Sequence, residues 1–118
     1  RINAENPEKQ FQPSPGTVKS LHLPQGFNIR VDSLLYYGYK VSPNYDSLVA
    51  KVIVKSSTRQ LAIKKLKVVL DEMVIDGFTT TADFLYAVLS YPLYAEGNAE
   101  EVDIKFLDRH QIIKEEMT

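Results

Sequence analysis

The sequence contains no cysteine and no tryptophan, and its two histidines, His22 and His110, stand far apart. Without cysteine the chain can form no disulfide and no thiolate metal site, and the histidines lack the paired spacing of metal ligands. No run approaches the ~20 consecutive apolar residues of a membrane span, and the N-terminus lacks the order of a secretion signal. We therefore expect a cytoplasmic protein without a bound metal or a membrane partner.

An excess of either charge is absent too, because 14 Lys and Arg residues oppose 15 Asp and Glu residues, for a net charge of -1. Such a balance gives no overall field that would hold nucleic acid or an anionic membrane, so neither is an expected partner. Hydrophobic residues make up 44% and charged residues 25% of the 118 residues, as in ordinary globular domains. We expect residues 1–118 to form one domain with a buried core.

The N-terminus has the pattern of a strand without a preceding loop. Residues 1–4 read Arg-Ile-Asn-Ala, with no initiator methionine, and the chain bends soon afterwards at Pro13-Ser14-Pro15-Gly16. We expect a fragment of a larger protein that begins inside a structural element.

The first half of the sequence alternates in the manner of short strands. Residues 47–55 give the clearest strand, with one fully apolar side, and residues 27–32 alternate as well and should pair within the same sheet. Residues 17–23 form a weaker strand. The turn residues 24–26, Pro-Gln-Gly, then predict a hairpin between 17–23 and 27–32.

The second half has the patterns of amphipathic helices. Ser57 is predicted to cap a first helix together with Gln60, and Gly77 to end it. Its apolar residues fall at helical spacing: Ala62, Leu66, Val69, Leu70 and Met73. A second helix is predicted to start at Thr80 and to stop at Pro92, which cannot donate the required backbone amide.

After the second helix the pattern weakens. Only Ile104 and Leu107 fit helical spacing, which predicts at most one more short helix, and residues 114–118 are expected to fray. Strands followed by helices indicate an α+β fold. We expect a small antiparallel β-sheet from the N-terminal half, covered by two or three amphipathic helices from the C-terminal half.

No active site can be recognised from the residues themselves, because no nucleophile–base motif and no glycine-rich phosphate loop is present. An aromatic platform for bases or sugars is conceivable, although core edges are the commoner use of such residues: Tyr36, Tyr37, Tyr39 and Tyr45. The basic cluster Lys64-Lys65-Leu66-Lys67 is typical of a solvated helix face. His22 and His110 are interpreted as surface or packing residues.

Arg1 is the residue best suited to bind an anion. Its guanidinium is permanently charged and presents parallel donors that match a planar anion such as a carboxylate or bicarbonate. From the sequence alone, a structural salt bridge is the commoner use of such an arginine.

Several strings resemble the C-terminal domain of biotin carboxylase and cover nearly the whole chain in the family's order. They are Arg1-Ile2-Asn3-Ala4-Glu5, Pro13-Ser14-Pro15-Gly16, Ile29-Arg30-Val31-Asp32-Ser33, Gly38-Tyr39, Tyr45-Asp46-Ser47-Leu48-Val49-Ala50-Lys51 and Ile75-Asp76-Gly77-Phe78-Thr79-Thr80. Two residues depart from the family's pattern. Gln25 stands where the family commonly has glycine before Gly26, so the local turn geometry need not follow the family's. Asn6 stands where the family commonly has aspartate after Glu5.

The resemblance implies that the complete enzyme uses ATP, Mg²⁺ and bicarbonate to carboxylate biotin on a biotin carboxyl carrier protein. An upstream ATP-grasp domain then holds the nucleotide and the magnesium ion, and this fragment needs no cofactor or metal and is inactive alone. For Arg1 the resemblance implies contacts with bicarbonate and with the ureido oxygen of biotin, where the cation stabilises the enolate.

The resemblance also implies that Phe27 and Arg30 contribute to the interface of a homodimer. Strict alternation places these residues on opposite faces of their strand, so both can contact a partner only if the strand lies at an edge or carries a bulge.

The preferred parent is the biotin carboxylase component of acetyl-CoA carboxylase, in fatty acid synthesis, on the supposition that the chain ends naturally at Thr118. Pyruvate, propionyl-CoA and methylcrotonyl-CoA carboxylases share the domain. Two other hypotheses stay open. One is the closing domain of another ATP-grasp ligase, and the other is a freestanding, non-enzymatic binding module with a tyrosine-lined surface.

Overall fold

The structure is a computed structural model that describes residues 1–98 and 100–113. Short strands occupy the N-terminal half and helices most of the C-terminal half, which confirms the predicted α+β fold. The strands are β1 (Ile2–Asn3), β2 (Glu5–Asn6), β3 (Gln12–Pro13), β4 (Gly16–Thr17), β5 (Ser20–His22), β6 (Ile29–Ser33), β7 (Lys40–Val41), β8 (Leu48–Val54) and β9 (Val74–Asp76). The helices are α1 (Arg59–Glu72), α2 (Ala82–Ser90), α3 (Pro92–Ala95) and α4 (Phe106–Arg109), and Pro7–Lys9 form a 3₁₀ turn.

The largest sheet has three antiparallel strands in the order β1-β8-β6. The predicted pairing of the 27–32 and 47–55 segments is confirmed, with Val31 opposite Val52 and Arg30 opposite Ile53. On the other side of β8, Ile2 lies opposite Ala50. Because side chains alternate along each strand, the inner face carries Ile2, Ala50 and Val52, and the opposite face is open at Lys51 and Ile53.

The predicted hairpin between residues 17–23 and 27–32 is wrong. Strand β5 pairs instead with β9, from Ser20 opposite Asp76 to His22 opposite Val74. The segment between β5 and β6 does not form a simple hairpin turn, because Pro24 has no backbone N–H to donate and Asn28 adopts a left-handed φ of 58°.

The end predicted for the first helix is also wrong. Helix α1 ends at Glu72, and Met73 is extended, with ψ 133°. The chain then forms strand β9, and Gly77 follows that strand rather than the helix. Val74 and Ile75 are β-branched residues, and such residues suit a strand better than a helix end.

The helix starts lie one residue later than predicted. Thr58, rather than Ser57, caps α1, because its Oγ1 accepts a hydrogen bond from the backbone N–H of Leu61 at 3.2 Å. Thr81 occupies the capping position of α2, where Thr80 was expected. Pro92 follows the end of α2, as predicted, and begins α3.

The helices cover the inner face of the sheet. The main core is built from strands, loops and the two longer helices: Ile2, Ala4, Val18, Leu35, Val41, Val49, Ala50, Leu70 and Leu89. None of the described helices combines the length and the apolar character needed to cross a bilayer.

A second, smaller core joins α2 to the C-terminal segment. Phe106 and Ile112 are each 2% exposed and pack against Phe84 and its neighbours on α2. One more short helix is present, α4, but Ile104 and Leu107, the two residues that fitted helical spacing, are 98% and 46% exposed. The fraying predicted for residues 114–118 lies outside the described residues.

We predict that Gly77→Ala destabilises the fold strongly. Gly77 has a φ of 125°, and a Cβ there would overlap the carbonyl oxygen of Thr17, beside the hydrogen bond from Lys19 N to Asp76 O that joins β5 and β9. Strain and overpacking together cost roughly 2–5 kcal/mol. Urea unfolding measures the loss.

Gly38→Ala is the matched control for this substitution. Gly38 also has a positive φ, 86°, but nothing lies within 4 Å of its added Cβ. Only the backbone cost of about 1–2 kcal/mol is expected. Equal losses in the two variants would contradict the steric explanation.

Candidate functional site

Arg1 lies at the outer edge of the three-stranded sheet, directly before β1, and is exposed. The residues after it are firmly held, because Ile2 and Ala4 are each 1% exposed and Ala4 N donates to Ser47 O at 2.8 Å. Since successive side chains of a strand point to opposite faces, the side chain of Arg1 leaves from the face opposite Ile2. This is the open face of the sheet.

The backbone beside Arg1 is fixed by a reciprocal pair of hydrogen bonds between Asn3 and Thr81. Asn3 N donates to Thr81 Oγ1 at 3.0 Å, and Thr81 N donates to Asn3 O, also at 3.0 Å. Thr81 is only 6% exposed. Its hydroxyl makes no cap bond to helix α2. The start of α2 therefore holds β1 in place from the side opposite β8.

One further cation, Lys51, lies near Arg1 in the sheet, and it is itself opposite Asp32 of β6. Continuing the register from Ile2 opposite Ala50 places Lys51 next to Arg1 on the open face. The pKa of the Arg1 amino group is lowered, first by burial and then by the guanidinium of Arg1 and by Lys51. A small anion at this point of the sheet is therefore favoured electrostatically.

Arg1 takes part in neither of the ion pairs found among residues 1–98 and 100–113. Those pairs join Arg30 to Asp32 at 2.7 Å and Arg109 to Asp103 at 2.9 Å. A structural salt bridge therefore does not account for Arg1 within the described part of the chain. Its guanidinium donors can bind a planar anion in the two-point manner typical of arginine.

Arg30 lies on β6, at the opposite edge of the same sheet. Its Nε and Nη2 both donate to the Asp32 carboxylate, at 3.0 and 2.7 Å, and its side chain is 71% exposed. These hydrogen bonds lower the pKa of Asp32. Strand β8 lies between β1 and β6, so two strand spacings, about 10 Å, separate Arg30's strand from that of Arg1.

Phe27 precedes β6 in a tight turn. Ile29 N donates to Gly26 O at 3.2 Å, and Asn28 has a φ of 58°. The alternation expected from the sequence is wrong here, since the strand starts at Ile29 and does not include Phe27. Phe27 is 87% exposed. Gln25 is not among the residues with positive φ, so the turn requires no glycine at that position.

The tyrosines do not form one platform. The rings of Tyr36 and Tyr39 meet edge to face at 5.2 Å, and Tyr39 packs against the main core. Tyr37 and Tyr45 are 78% and 82% exposed. Among the described residues these two make no ring–ring contact. A stacking surface for bases or sugars needs several coplanar rings, which this arrangement does not provide.

The helix lysines do not share a site. Lys65 Nζ approaches Lys55 O at 3.5 Å, whereas Lys67 Nζ lies 5.1 Å from the centre of the Tyr86 ring. Lys64 is exposed. Because these cations point to different neighbours, no phosphate-binding cluster results.

The histidines are packing or surface residues, as interpreted from the sequence. The His110 ring lies 4.4 Å from that of Phe106, and its Nδ1 is 3.4 Å from Tyr91 Oη. His22 is exposed on β5.

Three residues near the candidate sites were missed by the sequence analysis. Asp32 follows Arg30 by two positions on a strand, which places both on one face and could have identified the pair. Lys51 required the strand register, and Thr81 has no local signal, because its partner Asn3 is 78 positions away.

Comparisons with known proteins were consistent over nearly the whole chain. The sequence model of the family described as "Biotin carboxylase C-terminal domain" matches residues 1–109. Biotin carboxylase 1 of Bacillus subtilis is 44% identical over 113 residues, which are 96% of this chain and 24% of that protein. A pyruvate carboxylase component of Methanothermobacter thermautotrophicus is 39% identical over 111 residues, 94% of this chain and 22% of that protein.

A solved structure shows the same fold. It is the biotin carboxylase domain dimer of the Hydrogenobacter thermophilus 2-oxoglutarate carboxylase, in complex with MgADP, ADP and bicarbonate. The TM-score is 0.87 at 35% identity, over 93% of this chain and 24% of that chain. The present chain therefore spans about a quarter of the length of these relatives.

We predict that Thr81→Val destabilises the protein and releases β1, whereas Thr81→Ser does not. Valine has nearly the shape of threonine but offers Asn3 N no acceptor, and an unsatisfied buried donor costs about 1–3 kcal/mol. Denaturant unfolding and hydrogen exchange of the Asn3 amide measure the effect. Equal behaviour of the two variants would show that the hydroxyl does not hold the strand.

Proposed function

The chain belongs to the family of biotin carboxylase C-terminal domains, and from this premise we propose that it forms the C-terminal part of a biotin-dependent carboxylase. The proposed reaction of the whole protein is the ATP-dependent carboxylation, with bicarbonate, of biotin on a carrier protein. In this proposal the present chain provides one wall of the active site and is inactive alone.

Arg1 is the residue that we propose to act in this reaction. The observation that carries the proposal is that Arg1 is exposed and takes part in neither of the two ion pairs of the described residues. The backbone next to it is held in place by the hydrogen bond from Asn3 N to Thr81 Oγ1. Two parallel N–H donors match the oxygens of bicarbonate. The same cation can stabilise negative charge on the ureido oxygen of biotin as biotin loses a proton, which lowers the barrier.

ATP and Mg²⁺ are assigned to the rest of the protein. The residues that the structure describes contain no group of three His, Asp or Glu side chains that could hold a metal ion. From the family resemblance, we assign the nucleotide and the magnesium ion to an upstream ATP-grasp domain. The Hydrogenobacter relative, of which this chain covers 24%, is described in complex with MgADP and bicarbonate. A cytoplasmic location belongs to the same proposal.

For the parent enzyme we propose the biotin carboxylase component of acetyl-CoA carboxylase, which catalyses the first half-reaction in fatty acid synthesis. The identity of 44% to the Bacillus protein named Biotin carboxylase 1, against 39% to a pyruvate carboxylase component, supports this choice. The acyl acceptor reacts only after biotin is carboxylated, so no residue proposed here selects it.

Phe27 and Arg30 are proposed to contribute to a homodimer interface. Both are largely exposed at the free edge of the sheet, and Asp32 holds the Arg30 guanidinium in one orientation. Exposed aromatic and arginine side chains are enriched among residues that dominate interface energies. The relative from Hydrogenobacter is described as a dimer.

The two competing hypotheses receive less support. The family match favours a biotin carboxylase over another ATP-grasp ligase. The hypothesis of a freestanding binding module depended on a tyrosine platform, and the separate positions of Tyr37 and Tyr45 do not favour such a platform.

We predict that Arg1→Ala in the longer protein lowers kcat/KM for bicarbonate by roughly 10²–10³-fold, as for loss of a charge-stabilising donor, and leaves ATP binding unchanged. Arg1→Lys keeps the charge without the two-point geometry and should fall between. Bicarbonate-dependent ADP release and calorimetric ATP binding give the two values.

The control is Lys40→Ala, which removes an exposed cation from β7 and should affect neither measurement. If Arg1→Ala weakened ATP binding as strongly as it slowed carboxylation, the assignment of Arg1 to bicarbonate and biotin would be wrong.

We predict that the double variant Phe27→Ala and Arg30→Ala shifts the longer protein from dimer to monomer, because both side chains are lost from the proposed contact. Light scattering in solution measures the mass. Ile104→Ala, which removes a side chain of a residue 98% exposed elsewhere on the surface, is the control. A double variant that stays dimeric would exclude the interface role.

A further inference from the structure

Strand β8 has an open edge beside Arg1. Strand β6 pairs with it along residues 50–54, whereas β1 pairs only at Leu48 and Ala50. Among the described residues, the stretch of β8 from Lys51 to Val54 therefore has a neighbouring strand on one side only.

Backbone groups of alternate β8 residues face this open edge. Lys55 N donates to Asn28 O at 3.0 Å, and Val49 O accepts from Ser33 Oγ at 2.7 Å, so both point toward β6. Because backbone groups alternate in direction along a strand, those of Val52 and Val54 point to the other side. Such an edge is a template for a further strand.

An apolar recess of about 150 Å³ lies beneath the same edge. It opens next to Arg1 and is lined by side chains from β8, α1 and α2, among them Val52, Leu66, Leu85 and Leu89. An apolar side chain entering from the edge would be removed from water here, which is favourable by about 25 cal/mol per Å² buried.

The surroundings of the Arg1 backbone nitrogen suit an uncharged peptide amide better than a protonated amino group. Its pKa is lowered by burial, by the guanidinium of Arg1 and by Lys51, so the protonated amine is disfavoured there. A peptide amide carries no such charge and avoids this cost.

We propose that the open edge of β8 binds the polypeptide segment that precedes Arg1 in the longer protein, as a direct continuation of β1. This inference rests on the proposed function only in taking the chain as part of a longer protein. The existing pairing of Ile2 with Ala50 sets the register, so a strand from elsewhere would have to displace the segment connected to Arg1.

The register assigns a place to each added residue. The residue directly before Arg1 lies opposite Val52, forms backbone hydrogen bonds with it and directs its side chain toward the recess. The second residue before Arg1 lies opposite Ile53, on the open face. Arg1 then stands within a continuous strand, held on both flanks, and its guanidinium is oriented by both parts of the protein.

An engineered disulfide tests this register in the longer protein, with its other cysteines replaced by serine. Ile53→Cys is combined with a cysteine at the second residue before Arg1. The proposed pair is a non-hydrogen-bonded antiparallel pair with Cα atoms about 4.5 Å apart, which lies within the disulfide range. Near-complete intramolecular oxidation, measured by peptide mass spectrometry, is the expected result.

The matched control combines Ile53→Cys with a cysteine at the residue directly before Arg1, whose side chain points to the other face. Little disulfide is expected there. No disulfide in the first variant, or equal yields in both, would overturn the proposal. An intermolecular disulfide would also overturn it, because a second copy would then occupy the edge.

Hydrogen exchange of the unmodified longer protein provides a second measurement that needs no variant. The amides of Val52 and Val54 should be protected to the same degree as that of Ala50. Fast exchange of both amides would reject the strand. Neither experiment depends on carboxylation. If the longer protein formed the disulfide but did not carboxylate biotin, the proposed function would be wrong and this inference would stand.

Discussion

The structure around Arg1 depends on the fixation of a two-residue strand between two elements distant in sequence. Strand β1 is too short to be stable by itself, and it is held by pairing with β8 and by the reciprocal hydrogen bonds between Asn3 and Thr81. Burial of Ile2 and Ala4 adds the apolar contribution. A long, flexible arginine can act at one defined point only if its backbone is fixed in this way.

Different faces and edges of the three-stranded sheet serve core packing, the proposed anion contact and the proposed dimer contact. Its inner face packs under the helices. Ile2 and Ala50 belong to the main core, and Val52 packs against it. Its open face carries Arg1 and Lys51, and its two outer strands carry the proposed anion contact and the proposed dimer contact. Because β8 pairs with both outer strands, a change in its register would move both sites together.

Local periodicity predicted β6, β8, α1 and α2, because alternation and helical spacing are properties of neighbouring residues. It failed where a partner distant in sequence decides the structure. The pairing of β5 with β9 joins residues 20–22 to 74–76, and nothing within 17–23 specifies that choice over the nearer 27–32. Phe106, rather than Ile104, is buried because α2 offers it a cluster. The interpretation of Arg1 came from family resemblance, since one exposed cation has no distinctive pattern.

The two arginines of the sheet differ in whether a carboxylate neutralises their charge, and this difference agrees with the roles proposed for them. Arg30 is neutralised locally by Asp32, so a second copy of the protein can cover the pair without burying an unpaired charge, which is costly. Arg1 has no ion-pair partner among the described residues, and the Lys51 beside it lies opposite Asp32, so the guanidinium of Arg1 keeps its own positive charge uncompensated. Closing such a site from solvent is favourable only when an anion enters with it. For the bicarbonate contact proposed at Arg1, binding of the anion and exclusion of water are therefore expected to be coupled.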